Sequence, residues 1–314
     1  MDEFLHFLER DLPTHIVCPH CVQLHSMSFA KNYHLLSQTE SRSSRPWLAC
    51  WHADLKSELQ RGTYAEFSST IFRMAMKAYR QSHETTQLLS LLSCGTKRLF
   101  GPGFVEQRTA AARIQEGSLL LREQRVVMVP SSQEIPLSWY SRGGIIICPH
   151  IWFPIMTSLH QYGIQIPRAT EIEGYENRQG LIYCDHCYTE FRVDFKSYGK
   201  AGNAMFVTKW MDLGEGRDLR DHKFRSRFSS VEETSWTKVA FRRGSICASF
   251  EQKLESTFKF DSLLSQQDEE NLCTQSPWPL PEGIKVSLIG IEPLAASASE
   301  TTFRNTLPCS FLIL

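Results

Sequence analysis

The sequence predicts an α+β protein with a mainly antiparallel sheet, a zinc-ribbon-like CxxC knuckle and a few helices. Residues Phe191–Lys196 alternate apolar and charged side chains, which is the pattern of a half-buried strand. The segment Cys184–Cys187 lies just before that strand, at a spacing that lets two sulfurs bind one metal ion. Residues Ser69–Arg80 carry apolar side chains at the helical period instead.

The composition indicates a globular protein with no net charge. The 314 residues are 42% apolar, and 34 basic side chains balance 34 acidic ones. A neutral chain has no broad electrostatic attraction for nucleic acid or anionic membranes. Met1–Leu12 lacks the features of a secretory signal, and the apolar Gly143–Met156 contains two prolines and is too short to span a bilayer. We therefore expect an intracellular protein, cytoplasmic or nuclear, without a membrane partner.

The first predicted region, residues 1–60, combines a helix with a segment rich in Cys and His. Asp2 can cap a helix whose leucines share one face, and Pro13 ends it. Polar, serine-rich residues at Ser37–Pro46 indicate a loop.

The second predicted region, residues 61–261, is the α+β core. A helix is expected at Ser69–Arg80, a surface loop at Gly95–Arg108, and a β-hairpin from the short apolar runs Ser118–Leu121 and Arg125–Val129. Further strands are expected at Gly144–Cys148, Leu181–Cys184, Thr189–Phe195, Ala204–Met211 and Arg243–Phe250. Residues 262–314 are polar and proline-rich, which indicates a loose or partly disordered tail with one possible strand at Ile284–Ile291.

The sharpest motif is the knuckle that contains Cys184 and Cys187. A strand leads into it and a strand leads out, whereas a redox CxxC would open a helix. Cys148 and His150 follow another apolar strand and can supply the other half of a tetrahedral site. We predict a site made of these four residues, with His186 pointing away from the metal.

A second site is predicted near the N-terminus, where Cys18 and Cys21 repeat the knuckle spacing. Its remaining ligands would be Cys50 with either His25 or His52. No strand signal flanks this motif. A third arrangement would join the two CxxC pairs of the chain in one four-cysteine site.

All these sites would be closed by four protein ligands, which is typical of structural zinc. In a reducing compartment, metal binding or simple burial explains cysteines better than disulfides do. We expect the remaining cysteines to be packing or surface residues; these are Cys94, Cys247, Cys273 and Cys309.

Common catalytic motifs are missing from the sequence, including phosphate-binding loops, the nucleophile elbow and zinc-protease signatures. We therefore expect a protein that is not an enzyme. The basic stretch Arg217–Arg227 contains Phe224 and is followed by Phe228, and it can contact nucleic acid, although Asp218 and Asp221 dilute its charge. A solvated surface segment is the simpler interpretation of that stretch.

Four segments stand out together: Leu12–His25, Ile147–His150, Tyr183–Phe191 and Lys209–Arg217. With them, the chain resembles the uncharacterised filamentous-fungal proteins that are often described as F-box-containing. The resemblance spans roughly Asp11–Phe250.

The resemblance implies a protein-interaction module related to F-box substrate receptors. In such proteins an F-box, which binds the Skp-family adaptor of a ubiquitin ligase, precedes the first CxxC segment. Only about ten residues precede that segment here, so we expect the chain to lack the F-box or to begin inside its remnant, and the adaptor not to be a partner. The sequence thus favours a zinc-stapled interaction module whose protein partner is unknown. The alternatives are a zinc protein that binds nucleic acid through Arg217–Arg227 and an enzyme with an unrecognised site.

Overall fold

The computed structural model describes ten segments of the chain. These are residues 2–18, 21–31, 67–101, 104–131, 145–153, 175–176, 180–217, 221–226, 237–252 and 264–274. All of them belong to one compact unit, Met1–Ile284. The predicted divisions at residues 60 and 261 stay predictions.

A seven-stranded antiparallel sheet forms the centre of the fold, which confirms the predicted α+β class. Its strands run in the order β3-β4-β5-β11-β10-β8, and β9 pairs with β10. The strands are β3 (Cys94–Gly101), β4 (Phe104–Gln115), β5 (Ser118–Val129), β8 (Tyr175–Glu176), β9 (Ile182–Tyr183), β10 (Thr189–Ser197) and β11 (Asn203–Asp212).

Alternating side chains divide the sheet into two faces. We call the front face the one that carries Leu121 of β5 and its partner Met211 of β11. The back face carries Arg122 of β5 and its partner Trp210 of β11.

Helices and a hairpin cover one end of the front face. Helix α2 (Ser69–Arg80) begins after Ser68, whose hydroxyl accepts a hydrogen bond from the amide of Ile71 at 3.4 Å. It packs with α3 (Thr86–Leu91) on an apolar cluster that includes Leu119, Leu121 and Met211 of the sheet. The predicted helix Ser69–Arg80 is therefore confirmed.

The N-terminal module consists of residues 2–18 and 21–31 and packs against α2. It contains α1 (Asp2–Asp11) and the antiparallel hairpin of β1 (His15–Cys18) and β2 (Gln23–Ser26). Ile16 of β1 joins the apolar cluster under α2. Two cations of α2, Arg73 and Lys77, donate hydrogen bonds to backbone carbonyls of the module.

A second hairpin lies at the other end of the front face. It pairs β6 (Ile145–Cys148) with β7 (Ile151–Phe153). Ile147 and Ile151 pack in a second apolar cluster with Phe191, Val193 and Phe195 of β10, among other residues of the sheet. A charged band separates the two front-face clusters; its members are Glu106, Arg108, Glu123, Arg125 and Lys209.

Two short helices cover the back face. Helix α5 (Ser245–Glu251) packs Ile246, Cys247 and Phe250 around Trp210. Helix α6 (Gln266–Thr274) places the buried Leu272 against β5 and β11. Another short helix, α4 (His222–Arg225), follows the turn after β11. Thus part of the predicted tail, residues 264–274, is ordered against the sheet, and residues 275–314 lie outside the described residues.

Three predicted elements are wrong. Ser118–Leu121 and Arg125–Val129 are one continuous strand, because the polar residues between them are held by an ion pair and a hydrogen bond to β11 and by an ion pair to α5. Gly95–Arg108 is not a loop but most of β3 and the start of β4, which pair with each other. Arg243–Phe250 is not a strand, because its apolar residues form the inner face of α5.

Other predicted features lie outside the described residues, namely the loop Ser37–Pro46 and the strand Ile284–Ile291. Among the residues that the structure describes, no helix has the length and apolar character needed to cross a membrane.

Candidate metal centre

Four potential metal ligands converge where the β6–β7 hairpin meets the start of β10. One donor atom from each of Cys148, His150, Cys184 and Cys187 lies within 4.8 Å of the others. The Cys184 sulfur is 3.6 Å from Nδ1 of His150. Two ligands around a tetrahedral zinc, at about 2.3 Å for sulfur and 2.0 Å for nitrogen, would be about 3.5 Å apart. The spacing of the donors is therefore compatible with one shared metal ion.

Local hydrogen bonds shape the knuckle around Cys184 and Cys187. The Cys184 amide donates to the carbonyl of Thr189 at 2.9 Å, and the Thr189 amide donates to the carbonyl of Cys187 at 2.8 Å. The amide of His186 lies 3.4 Å from the Cys184 sulfur, and the Thr189 hydroxyl lies 3.2 Å from the Cys187 sulfur. Such contacts orient cysteine ligands and stabilise their negative charge.

The site is buried at its sulfur side. The three cysteines have no exposed surface, and they pack with Phe191 and Val207 in the second front-face cluster. Burial raises the pKa of Cys148 well above its ordinary value, and hydrogen bonds with the other two thiols add to the increase. A divalent cation would offset this cost, because thiols release their protons when they bind a metal.

The neighbouring thiols have opposite effects on the pKa of Cys184. A hydrogen bond with Cys148 lowers the pKa of Cys184, but a hydrogen bond with Cys187 and burial outweigh it. The pKa of Cys184 is therefore raised as well. Three thiols and one imidazole make a closed, four-donor set of the kind that holds structural metals.

His186 is not among the four converging residues. Its ring lies beside the ring of His150, with 5.5 Å between the centroids.

A second cluster of donors lies in the N-terminal module. Donor atoms of Cys18, Cys21 and His25 lie within 4.8 Å of one another, and the Cys21 sulfur is 3.0 Å from Nε2 of His25. Cys18 ends β1 and His25 lies on β2, so strands do flank this knuckle. The sequence analysis missed that context, although the apolar pair before Cys18 was a possible signal.

Of the three candidate partners predicted for Cys18 and Cys21, only His25 can be checked, because Cys50 and His52 lie outside the described residues. The four-cysteine alternative is wrong, since the two CxxC pairs belong to separate clusters.

The basic stretch Arg217–Arg227 is partly used inside the fold. The ammonium of Lys223 forms an ion pair with Asp212 at 2.6 Å, and Arg217 pairs with Glu215 at 2.7 Å. Phe224 is buried and stacks on Phe72 of α2. Residues 218–220 and 227 lie outside the described residues.

The remaining described cysteines are Cys94, Cys247 and Cys273, and they belong to neither cluster. Cys247 is buried on α5, and the other two are half-buried. These positions agree with the expected packing or surface roles.

No protein-family model, curated protein or solved structure matches the chain. The resemblance to F-box-containing proteins stays a prediction, and conclusions about function rest on the geometry of the residues.

Proposed function

We propose that the chain is a non-enzymatic interaction protein whose fold is stapled by zinc at Cys148, His150, Cys184 and Cys187. The observation that carries the proposal is the convergence of these four donors from two distant parts of the chain. Thiolate and imidazole are ligands that zinc favours, and four such donors are the number that a tetrahedral structural zinc needs.

The staple has a clear mechanical role. Cys148 and His150 belong to the β6–β7 hairpin, whereas Cys184 and Cys187 precede β10. The hairpin has only two short strands, and such a hairpin is marginally stable on its own. Zinc would fix it on the front face of the sheet.

The closed donor set supports a structural role for the metal. A catalytic zinc keeps one position for water or substrate, whereas four protein ligands fill the coordination shell here. A stapled scaffold that presents surface segments to a protein partner is the function that fits these features best. A relation to F-box substrate receptors is part of this proposal and is supported by the sequence resemblance alone.

Metal analysis of the purified chain tests the staple. We expect at least one zinc per chain, loss of one zinc in Cys184→Ser, and a marked fall in Tm for that variant. Cys247→Ser is the matched control, because Cys247 is equally buried but lies outside both clusters. It should keep its zinc. A wild type that folds cooperatively without metal would rule out the staple.

The interaction role needs a separate test. Affinity purification from cells should recover the same stoichiometric partner with wild type and Cys247→Ser, and much less of it with Cys184→Ser. Equal recovery of the partner with all three chains would contradict a zinc-dependent scaffold.

A further inference from the structure

We propose that Cys18, Cys21 and His25 form a second zinc site, which fastens the N-terminal module to helix α2. This inference goes beyond the staple at β6–β7, and neither site depends on the other for its ligands. It assigns to the first 31 residues a metal-dependent attachment to the rest of the fold.

The hairpin register places two of the three donors, Cys18 and His25, on one side. Cys18 pairs with Gln23 and Ile16 pairs with His25, so Ile16, Cys18 and His25 face the same way. Ile16 points into the apolar cluster under α2. Cys18 and His25 therefore lie on the inner side of the hairpin, where both are buried. Cys21 is a half-buried turn residue whose sulfur lies 3.0 Å from the ring of His25.

The turn between the strands has an unusual backbone. Val22 has a φ of 54°, a left-handed conformation that β-branched residues rarely adopt. Its amide donates to the carbonyl of Cys18 at 2.9 Å, which brings the chain back toward the first cysteine. Strained residues persist where surrounding contacts hold them, and such positions are common at ligand-binding turns. A metal held by Cys18 and Cys21 would supply that constraint.

Helix α2 holds the strand that carries Cys18. The guanidinium of Arg73 donates to the carbonyl of Val17, the residue next to Cys18. The ammonium of Lys77 donates to the carbonyls of Leu12 at 2.9 Å and His15 at 2.6 Å. Both cations are almost fully buried. The carbonyls that accept these hydrogen bonds stay within reach of the two cations only while the N-terminal module remains folded.

The metal and α2 therefore act on the same short hairpin. Zinc would join β1 to β2 at the turn, and the two cations bind the carbonyls along β1 and before it. Loss of the ion would free the hairpin, displace these carbonyls and expose Ile16.

The zinc content of the full chain tests this site. We expect two zinc ions per wild-type chain by native mass spectrometry, and one in Cys21→Ser. Cys94→Ser is the matched control, because Cys94 is also half-buried but outside both clusters, and it should keep two. His25→Gln gives a second variant if Cys21→Ser does not fold. Equal zinc in wild type, Cys21→Ser and His25→Gln would overturn the proposal.

Hydrogen exchange tests the attachment. In Cys21→Ser, amides of residues 15–26 should exchange about tenfold faster or more, while amides of β10 and β11 keep their protection. Unchanged exchange in residues 15–26 would overturn the fastening role.

The two sites can fail separately. If wild type holds one zinc that Cys184→Ser removes and Cys21→Ser does not, the second site is wrong and the staple stands. If Cys21→Ser removes the single zinc and Cys184→Ser does not, the second site stands and the staple is wrong.

Discussion

Glu106 carries a negative charge into the front face of the sheet and shares it with two guanidinium groups. Its carboxylate accepts hydrogen bonds from Arg125 at 2.6 and 2.8 Å, and a further one from Arg108. Burial raises the pKa of Glu106, but the two arginines outweigh burial, and the pKa lies below its ordinary value. The carboxylate is therefore ionised in the folded protein at neutral pH.

We expect Glu106→Gln to destabilise the fold by about 3–5 kcal/mol at neutral pH, because it leaves Arg125 buried without its partner. The lowered pKa stabilises the fold above the ordinary pKa of about 4.3, and that contribution disappears as the pH falls through the lower folded value. The difference between wild type and variant should therefore shrink in acid. Urea unfolding at several pH values measures it.

Glu116→Gln serves as the control for Glu106→Gln, since Glu116 is exposed in the β4–β5 turn. It should unfold like the wild type at each pH. A Glu106→Gln variant with wild-type stability at neutral pH would show that the ion pair contributes nothing.

The roles of some residues could be predicted from the sequence, and those of others could not. Cys148, His150, Cys184 and Cys187 could be found because each pair has a local spacing that metal binding requires. The charged band around Glu106 could not be found, because its pairs join residues of different strands. Their partners are fixed by strand register, which local patterns do not show.

At the scale of elements, α5 is held to the sheet at both ends by carboxylates. At its beginning, Glu190 of β10 accepts hydrogen bonds from the amides of Gly244 at 2.6 Å and Cys247 at 2.8 Å. At its end, Glu251 accepts hydrogen bonds from the indole of Trp210 at 2.8 Å and from Arg122 at 3.0 Å. The negative charge of Glu190 also suits the helix N-terminus.

We expect Glu190→Gln to lower the free energy of unfolding by about 1.5–3 kcal/mol. The reason is that the glutamine side chain offers one neutral oxygen in place of a charged carboxylate with two acceptor oxygens. In Glu190→Gln, the amides of α5 should exchange faster than they do in the wild type, and this increase should be larger than that for the amides of β10. Glu270→Gln, an exposed position on α6, is the control and should change neither quantity. Equal exchange in α5 of both variants would remove the capping role.

The contacts of Glu190 also explain why the strand predicted at Arg243–Phe250 is a helix in the structure. Ser245–Glu251 is short and apolar, and short apolar runs do not distinguish strand from helix by periodicity. What decides between them is a carboxylate from β10, more than 50 residues earlier in the chain. The helix Ser69–Arg80 could be predicted from local sequence, because its length and its N-cap at Ser68 do not depend on distant residues.

At the scale of the whole molecule, the two proposed metal ions would add to the limited apolar burial of the two small hairpins. We expect a strong chelator to lower Tm and broaden the thermal transition, and added zinc to restore both. Near-UV circular dichroism during heating measures this. A double variant, Cys21→Ser with Cys184→Ser, should not respond to the chelator. A wild type stripped of metal with unchanged Tm would contradict the expectation.

The sheet class was predictable from alternation, whereas its strand order was not. β10 and β11 are neighbours in sequence and pair as expected for a hairpin. The central pairing, β5 with β11, joins strands with residues 130–202 between them, and no local signal selects it. Both faces also carry apolar side chains, so the pattern did not reveal which layer covers which face.

The β5–β11 pairing has a consequence for the growing polypeptide on the ribosome. Strands β3, β4 and β5 leave the exit tunnel as a meander in which β5 pairs with β4 on one side only, and its other edge stays open until residues 203–212 have been synthesised. Open edges of this kind attract foreign strands. The nascent chain would then depend on chaperone shielding during that interval, and slow codons between residues 130 and 202 would lengthen the exposure.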